Sequence, residues 1–164
     1  LRQPHAVQQH LRQALLQVDA VVGHSLGGLM ALEALRKAPT CPVQRVVCLG
    51  TPLCGSAVAR RLRQNKLGFT LGASASLLAN GLTAAPSDAV QVGMIAGNRA
   101  RGIGRIVGAP RGEGDGTVGL DETRSAWLRD HRVVAASHSG LPFSAIAARQ
   151  TAHFLRSGRF SRDD

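Results

Sequence analysis

Apolar and polar residues along this chain recur with two different periods. From His5 to Gln17, Val7, Leu11, Ala14 and Leu15 fall at helical spacing, and Pro4 suits a first turn, which predicts an amphipathic helix. Val18 to Gly23, carrying Ala20-Val21-Val22, is short and apolar on both faces, as expected of a buried parallel strand. A helix over Leu26 to Lys37 follows and stops before Pro39. Val43 to Leu49, rich in valine and bounded by Pro42 and Gly50, predicts the next strand. Helix, strand, helix, strand implies right-handed crossovers onto a mostly parallel sheet flanked by helices, the α/β class.

The alternation pauses after Gly50. Residues 55–87 hold two short helical stretches, Ser56 to Arg63 and Ala73 to Ala79, joined by Gly68 and Gly72. The stretch is too long for a simple loop and reads as a cap or lid segment. Its apolar residues Leu67, Phe69, Leu71, Leu77, Leu78 and Leu82 either line an acyl pocket or pack an ordinary crossover. Val90 to Ala96 predicts a third strand, and Gly97 to Gly114 is glycine-rich and basic. Arg132 to Ala136 predicts a fourth strand, Ser137 to Gly140 a loop, and Ser144 to Leu155 a closing helix. The tail Gly158 to Asp164 is polar and reads as frayed.

At 164 residues the chain fits one domain with a real core. No apolar stretch approaches the length of a membrane span, and Leu1-Arg2-Gln3-Pro4-His5 lacks a signal-peptide layout. The net charge of +10 raises nucleic-acid binding as a possibility. Arginine supplies 18 of the 20 basic residues, scattered along the chain, and aromatics are only 3%, leaving few platforms for base stacking. The charge is therefore read as a solvated surface, without a nucleic-acid partner. Cys41, Cys48 and Cys54 have no metal-ligand spacing and cannot all pair, which suits a reducing, cytoplasmic compartment; a Cys41–Cys54 bridge is the less favoured alternative.

The chemistry begins at Gly23-His24-Ser25-Leu26-Gly27, where the apolar strand meets the helix. A serine at so sharp a strand-to-helix turn matches a nucleophile elbow. Glycines at −2 and +2 are expected to relieve clashes in the turn, and Gly28 to let the helix pack closely on the sheet. The Leu26 N–H, at the helix N-terminus, points toward an oxyanion formed on a carbonyl under attack. The alternative is a serine that merely caps the helix.

A serine hydroxyl needs a base, and the base needs a group that fixes its tautomer. His138 is the best candidate base, since it follows a strand directly and precedes a Gly-Leu-Pro turn. His5 and His10 belong to the first helix, His24 is the variable elbow position, His131 sits at a strand entrance and His153 lies within a helix. Asp115, flanked by glycines after the third strand, is the candidate acid, with Glu113, Asp88 and Asp121 as competitors. The order Ser25, Asp115, His138 is that of α/β hydrolases.

Val-Val-Gly23-His-Ser25-Leu-Gly-Gly, Leu49-Gly-Thr-Pro-Leu, Gly114-Asp115-Gly-Thr-Val and Ser137-His138-Ser-Gly-Leu together resemble the α/β-hydrolase superfamily, most closely its bacterial lipase and esterase branch, related to GPI-deacylase-like hydrolases. The resemblance covers nearly the whole chain. It implies Ser25 as nucleophile, Asp115 as acid, His138 as base and the Leu26 amide as one oxyanion donor, working through an acyl-enzyme with no metal or organic cofactor. It also implies strands and a His-Gly oxyanion loop before the elbow, where this chain has one helix. The chain is accordingly expected to be the C-terminal portion of a longer hydrolase, with the second oxyanion donor outside it. The expected substrate is a lipid or other apolar acyl ester, with peripheral contact to lipid. An acyltransferase or thioesterase on the same scaffold, and a non-catalytic hydrolase-like binding protein, are the competing functions.

Overall fold

A computed structural model describes residues 4–38, 40–57, 59–60, 73–100 and 113–163. Helix α1 (Pro4–Leu15) leads into strand β1 (Ala20–His24), helix α2 (Leu26–Arg36) and strand β2 (Arg45–Leu49). Helix α3 (Ala73–Asn80), strand β3 (Gln91–Gly97), strand β4 (Asp130–Val134) and helix α4 (Ala145–Ser157) complete the described elements. The four strands form one sheet in the order β1-β2-β3-β4, every neighbouring pair parallel. The α/β arrangement expected from the alternation of elements is the one observed.

Side chains on a strand alternate between faces, and the two faces of this sheet build two cores. On one face Val46, Cys48, Val92 and Met94 pack with Leu15 of α1 and with Leu29, Leu32 and Leu35 of α2. On the other, Val47, Leu49, Ile95 and Val134 pack with Phe154 of α4 and with Phe160. Gly93 makes room for that aromatic pair: a Cβ there would stand 2.6 Å from Phe154 Cε2 and 2.8 Å from Phe160 Cζ. Burial raises the Cys48 thiol pKa to about 12, so it behaves as a small hydrophobe. Cys41 and Cys54 are also free thiols, and no bridge joins them.

Two expectations change. β1 is not buried on both faces: it lies at the end of the described sheet order, and Val22 is 48% exposed, with Leu16 and Val18 near it at 58% and 41%. The tail is not frayed as far as Asp163. Phe160 is buried and stacks on Phe154 at 4.9 Å between ring centroids. Asp130 at the start of β4 secures it, accepting from Phe160 N and from Arg162 Nη2, both at 2.8 Å. One aromatic among polar residues and a carboxylate thirty residues earlier hold a segment whose composition suggested solvent.

In the 55–87 stretch, Arg60 N donates to Ser56 O at 3.0 Å, the start of the expected first helical stretch, and α3 matches the second. Leu67, Phe69 and Leu71 lie outside the described residues, as do parts of both arginine groups, Arg60-Arg61-Arg63 and Arg99-Arg101-Arg105. Leu77, Leu78 and Leu82 pack against the α1/α2 core, which gives those three a packing role. Among the described residues no helix is long and apolar enough to cross a membrane.

His131, beside Asp130 on β4, gives the fold a pH dependence. Its Nε2 lies 2.9 Å from Thr123 Oγ1, whose own proton goes to Leu120 O, so the imidazole is the donor. Burial, with Arg124 adding to it and Asp130 opposing, holds the folded pKa below the ordinary 6.5. The unfolded chain therefore binds more protons below that value, and stability falls as pH drops through it. The urea midpoint of the wild type should fall more between pH 7.5 and 5.5 than that of His131→Gln; equal losses would remove His131 from the account.

Candidate functional site

The site is assembled at the carboxyl ends of the strands, where open α/β sheets bind ligands. β1 ends with Ser25 N donating to Leu49 O at 2.9 Å, and α2 starts at the next residue. The direction change falls on Ser25, which has φ 52° and ψ −125°, the single non-glycine residue with positive φ among those described. Such a backbone costs on the order of 1–3 kcal/mol and persists only where its surroundings enforce it.

Those surroundings are glycines. A Cβ on Gly23 would lie 2.6 Å from Gly28 Cα, and one on Gly28 would lie 2.1 Å from Thr51 Oγ1. Gly27 is different, because a Cβ there would meet nothing within 4 Å. The expectation that glycines at −2 and +2 both relieve clashes is thus corrected: the close approaches are at −2 and +3, and Gly27 faces open space on the first turn of α2.

Ser25 does not cap α2 with its side chain. Its Oγ lies 3.0 Å from His138 Nε2, and His138 Nδ1 lies 2.7 Å from Asp115 Oδ2. A carboxylate only accepts, so Nδ1 carries the proton and Nε2 is left to accept from the serine hydroxyl. Asp115 is 1% exposed. Its Oδ1 accepts from Thr117 N at 2.9 Å and Val118 N at 2.8 Å, and its carbonyl accepts from His138 N at 3.0 Å. The three residues singled out from the sequence, 113 positions apart at the extremes, are brought into one hydrogen-bonded line.

Of the competing carboxylates, Asp121 opens the short 3-10 helix Asp121–Thr123. Glu122 beside it, not a candidate from the sequence, accepts from Ala57 N and Gly119 N, tying the start of the 55–87 stretch to the loop that carries Asp115. His153 on α4 bonds Arg159 O. The Leu26 amide is at the first helical position of α2, among the four N–H groups that a helix leaves without an intrahelical acceptor.

Two contributors escaped the sequence reading. Gly50, at φ +54°, faces the histidine and its carboxylate: a Cβ there would lie 3.0 Å from Asp115 Oδ2 and 3.2 Å from His138 Nδ1. Its signal was visible as a glycine closing an apolar strand. His24 is the other, with Nε2 3.0 Å from the His138 carbonyl and the two rings 4.7 Å apart. No local pattern announces a contact across 114 residues.

No protein-family model matches the chain, and no curated protein does. Solved structures do. The lipase BlEst2 of Bacillus licheniformis, in mature form, is 22% identical with a TM-score of 0.67, covering 92% of this chain and 70% of the lipase. The metagenomic carboxyl esterase MGS0156 is 18% identical with a TM-score of 0.64, covering 84% of this chain and 50% of the esterase. The thioesterase RedJ of the prodiginine pathway in Streptomyces coelicolor is 18% identical with a TM-score of 0.52, covering 92% of this chain and 64% of RedJ. At these identities the likeness is one of fold. That fold is the α/β-hydrolase fold, of which this chain holds part.

The packing of the elbow yields a stability test. Gly28→Ala places a methyl group against buried Thr51 and should cost about 1–3 kcal/mol in urea unfolding, whereas Gly27→Ala should cost nothing measurable. The opposite ranking would mean that α2 does not approach Thr51 as described.

Proposed function

We propose that this chain carries the reacting groups of a serine hydrolase that cleaves carboxylic esters of lipid or other apolar acyl groups. The line Asp115–His138–Ser25, with spacings of 2.7 and 3.0 Å, is the observation that supports it most strongly. In this reading Ser25 Oγ attacks the ester carbonyl carbon while His138 Nε2 takes the hydroxyl proton. Asp115 keeps the imidazole in the tautomer that accepts and stabilises its charged form. The Leu26 amide donates to the carbonyl oxygen as it becomes an oxyanion. Collapse breaks the ester C–O bond, and His138 returns the proton to the departing alcohol. Water, deprotonated by His138, then releases the acid from Ser25.

The domain reading belongs to this proposal. The chain acts as the C-terminal portion of a hydrolase domain, with 55–87, described only in part, as a cap or lid segment within it. The apolar exposure around β1, and the 70% and 50% of the two esterase structures that the chain spans, support further elements flanking β1 and supplying a second oxyanion donor. The likeness to RedJ favours a second reading, a thioesterase using the same groups on a sulfur leaving group.

Hydrolysis of p-nitrophenyl acyl esters and of the matching thioesters tests both. Ester turnover should vanish in Ser25→Ala and fall by about 10⁴-fold in Asp115→Asn, where the imidazole takes the wrong tautomer. Faster thioester cleavage would favour the second reading. Full activity in Asp115→Asn would move the acid role to another carboxylate, and activity surviving Ser25→Ala would end the proposal.

A further inference from the structure

His24 occupies the variable position of the elbow, one residue before Ser25, and nothing in its local sequence gives it a task. In the fold its Nε2 lies 3.0 Å from the main-chain carbonyl of His138. A carbonyl only accepts, so Nε2 carries the proton and donates. The same carbonyl takes a longer bond, 3.4 Å, from Leu141 N. The two imidazoles also lie against one another, with centroids 4.7 Å apart and planes at 43°. Burial, and after it the charge that His138 can carry, hold the His24 pKa below the ordinary 6.5, against the bond to the His138 carbonyl and the charge of Asp115. Near neutral pH the ring is therefore an uncharged donor.

The position of that bond gives it its meaning. His138 is held to Asp115 twice, by its side chain and by its amide, and both bonds fix the imidazole relative to the carboxylate. The His24 bond instead joins the histidine loop to the last residue of β1, whose next residue is Ser25. We infer that His24 is a positioning residue that holds the main chain of His138 in register with Ser25, donating from Nε2 to the His138 carbonyl oxygen. The role rests on the serine-hydrolase reading for its catalytic consequence, while the tether itself does not.

Three substitutions and two readouts separate those levels. His24→Phe keeps a half-buried ring beside His138 but has no donor, His24→Ala removes both, and His24→Gln places an amide N–H at a similar reach. In ester hydrolysis His24→Phe and His24→Ala should lower kcat by roughly 10- to 100-fold, the scale of a misplaced reacting group. KM should stay nearly unchanged, and His24→Gln should recover most of the loss. The second readout does not need turnover: exchange with water of the His138 Nδ1 proton, followed by NMR, should be faster than wild type in His24→Phe and His24→Ala and close to wild type in His24→Gln. Wild-type kcat and exchange in His24→Phe would overturn the inference, as would equal losses in His24→Phe and His24→Gln. An inactive full-length wild type would remove the hydrolase reading alone, and proton exchange would still decide whether the tether exists.

Discussion

A left-handed serine between a strand and a helix is sustained by contacts on both of its sides. Before it, β1 is hydrogen-bonded in register to β2, from Ala20 opposite Arg45 to His24 opposite Leu49. After it, Leu29, Leu32 and Leu35 bury one side of α2 against the sheet. Full burial of each is worth about 1.5–3 kcal/mol, so together they exceed the strain of one unfavourable backbone conformation. Helix and strand come close enough to make those contacts because Gly23 and Gly28 leave no side chain between them. The fold therefore stores strain at Ser25 and offsets it in the core, which lifts the hydroxyl toward His138.

The other half of the site depends on a buried carboxylate. A carboxylate taken out of water needs compensating donors, and Asp115 has them in Thr117 N, Val118 N and His138 Nδ1. Two of these come from its own turn, so the loop is shaped around the charge that it buries. Gly50 leaves the space in which carboxylate and imidazole meet. The turn at Ser25 and the loop of His138 thus each leave the carboxyl end of a strand, and His138 joins them to Asp115 by hydrogen bonds.

Local periodicity made the sheet readable. The four strands, α2 and α4 fall where alternation of apolar runs puts them, within a few residues at their ends. The chemistry was readable because Ser25 and His138 each stand in a short glycine-bearing turn just after an apolar run, and Asp115 stands between two glycines. What was hidden depends on contacts between distant segments. The tail looks like solvent-exposed chain until Asp130 and Phe154 are seen to hold it, and Gly27 looks as necessary as Gly28 until Thr51 is placed behind one and open space behind the other. The exposure of Val22 was hidden because an apolar strand looks the same at the edge of a sheet as in its middle. His24 was hidden for the same reason as the tail, its partner being the main chain of a residue in another loop.

We propose that Asp115 and His138 make Ser25 nucleophilic in the folded chain. Reaction of the native protein with a fluorophosphonate, followed by peptide mapping, measures that directly. One label is expected, on Ser25, lost on denaturation and strongly slowed in Asp115→Asn. A folded protein that takes no label, or takes it on a different serine, would contradict it.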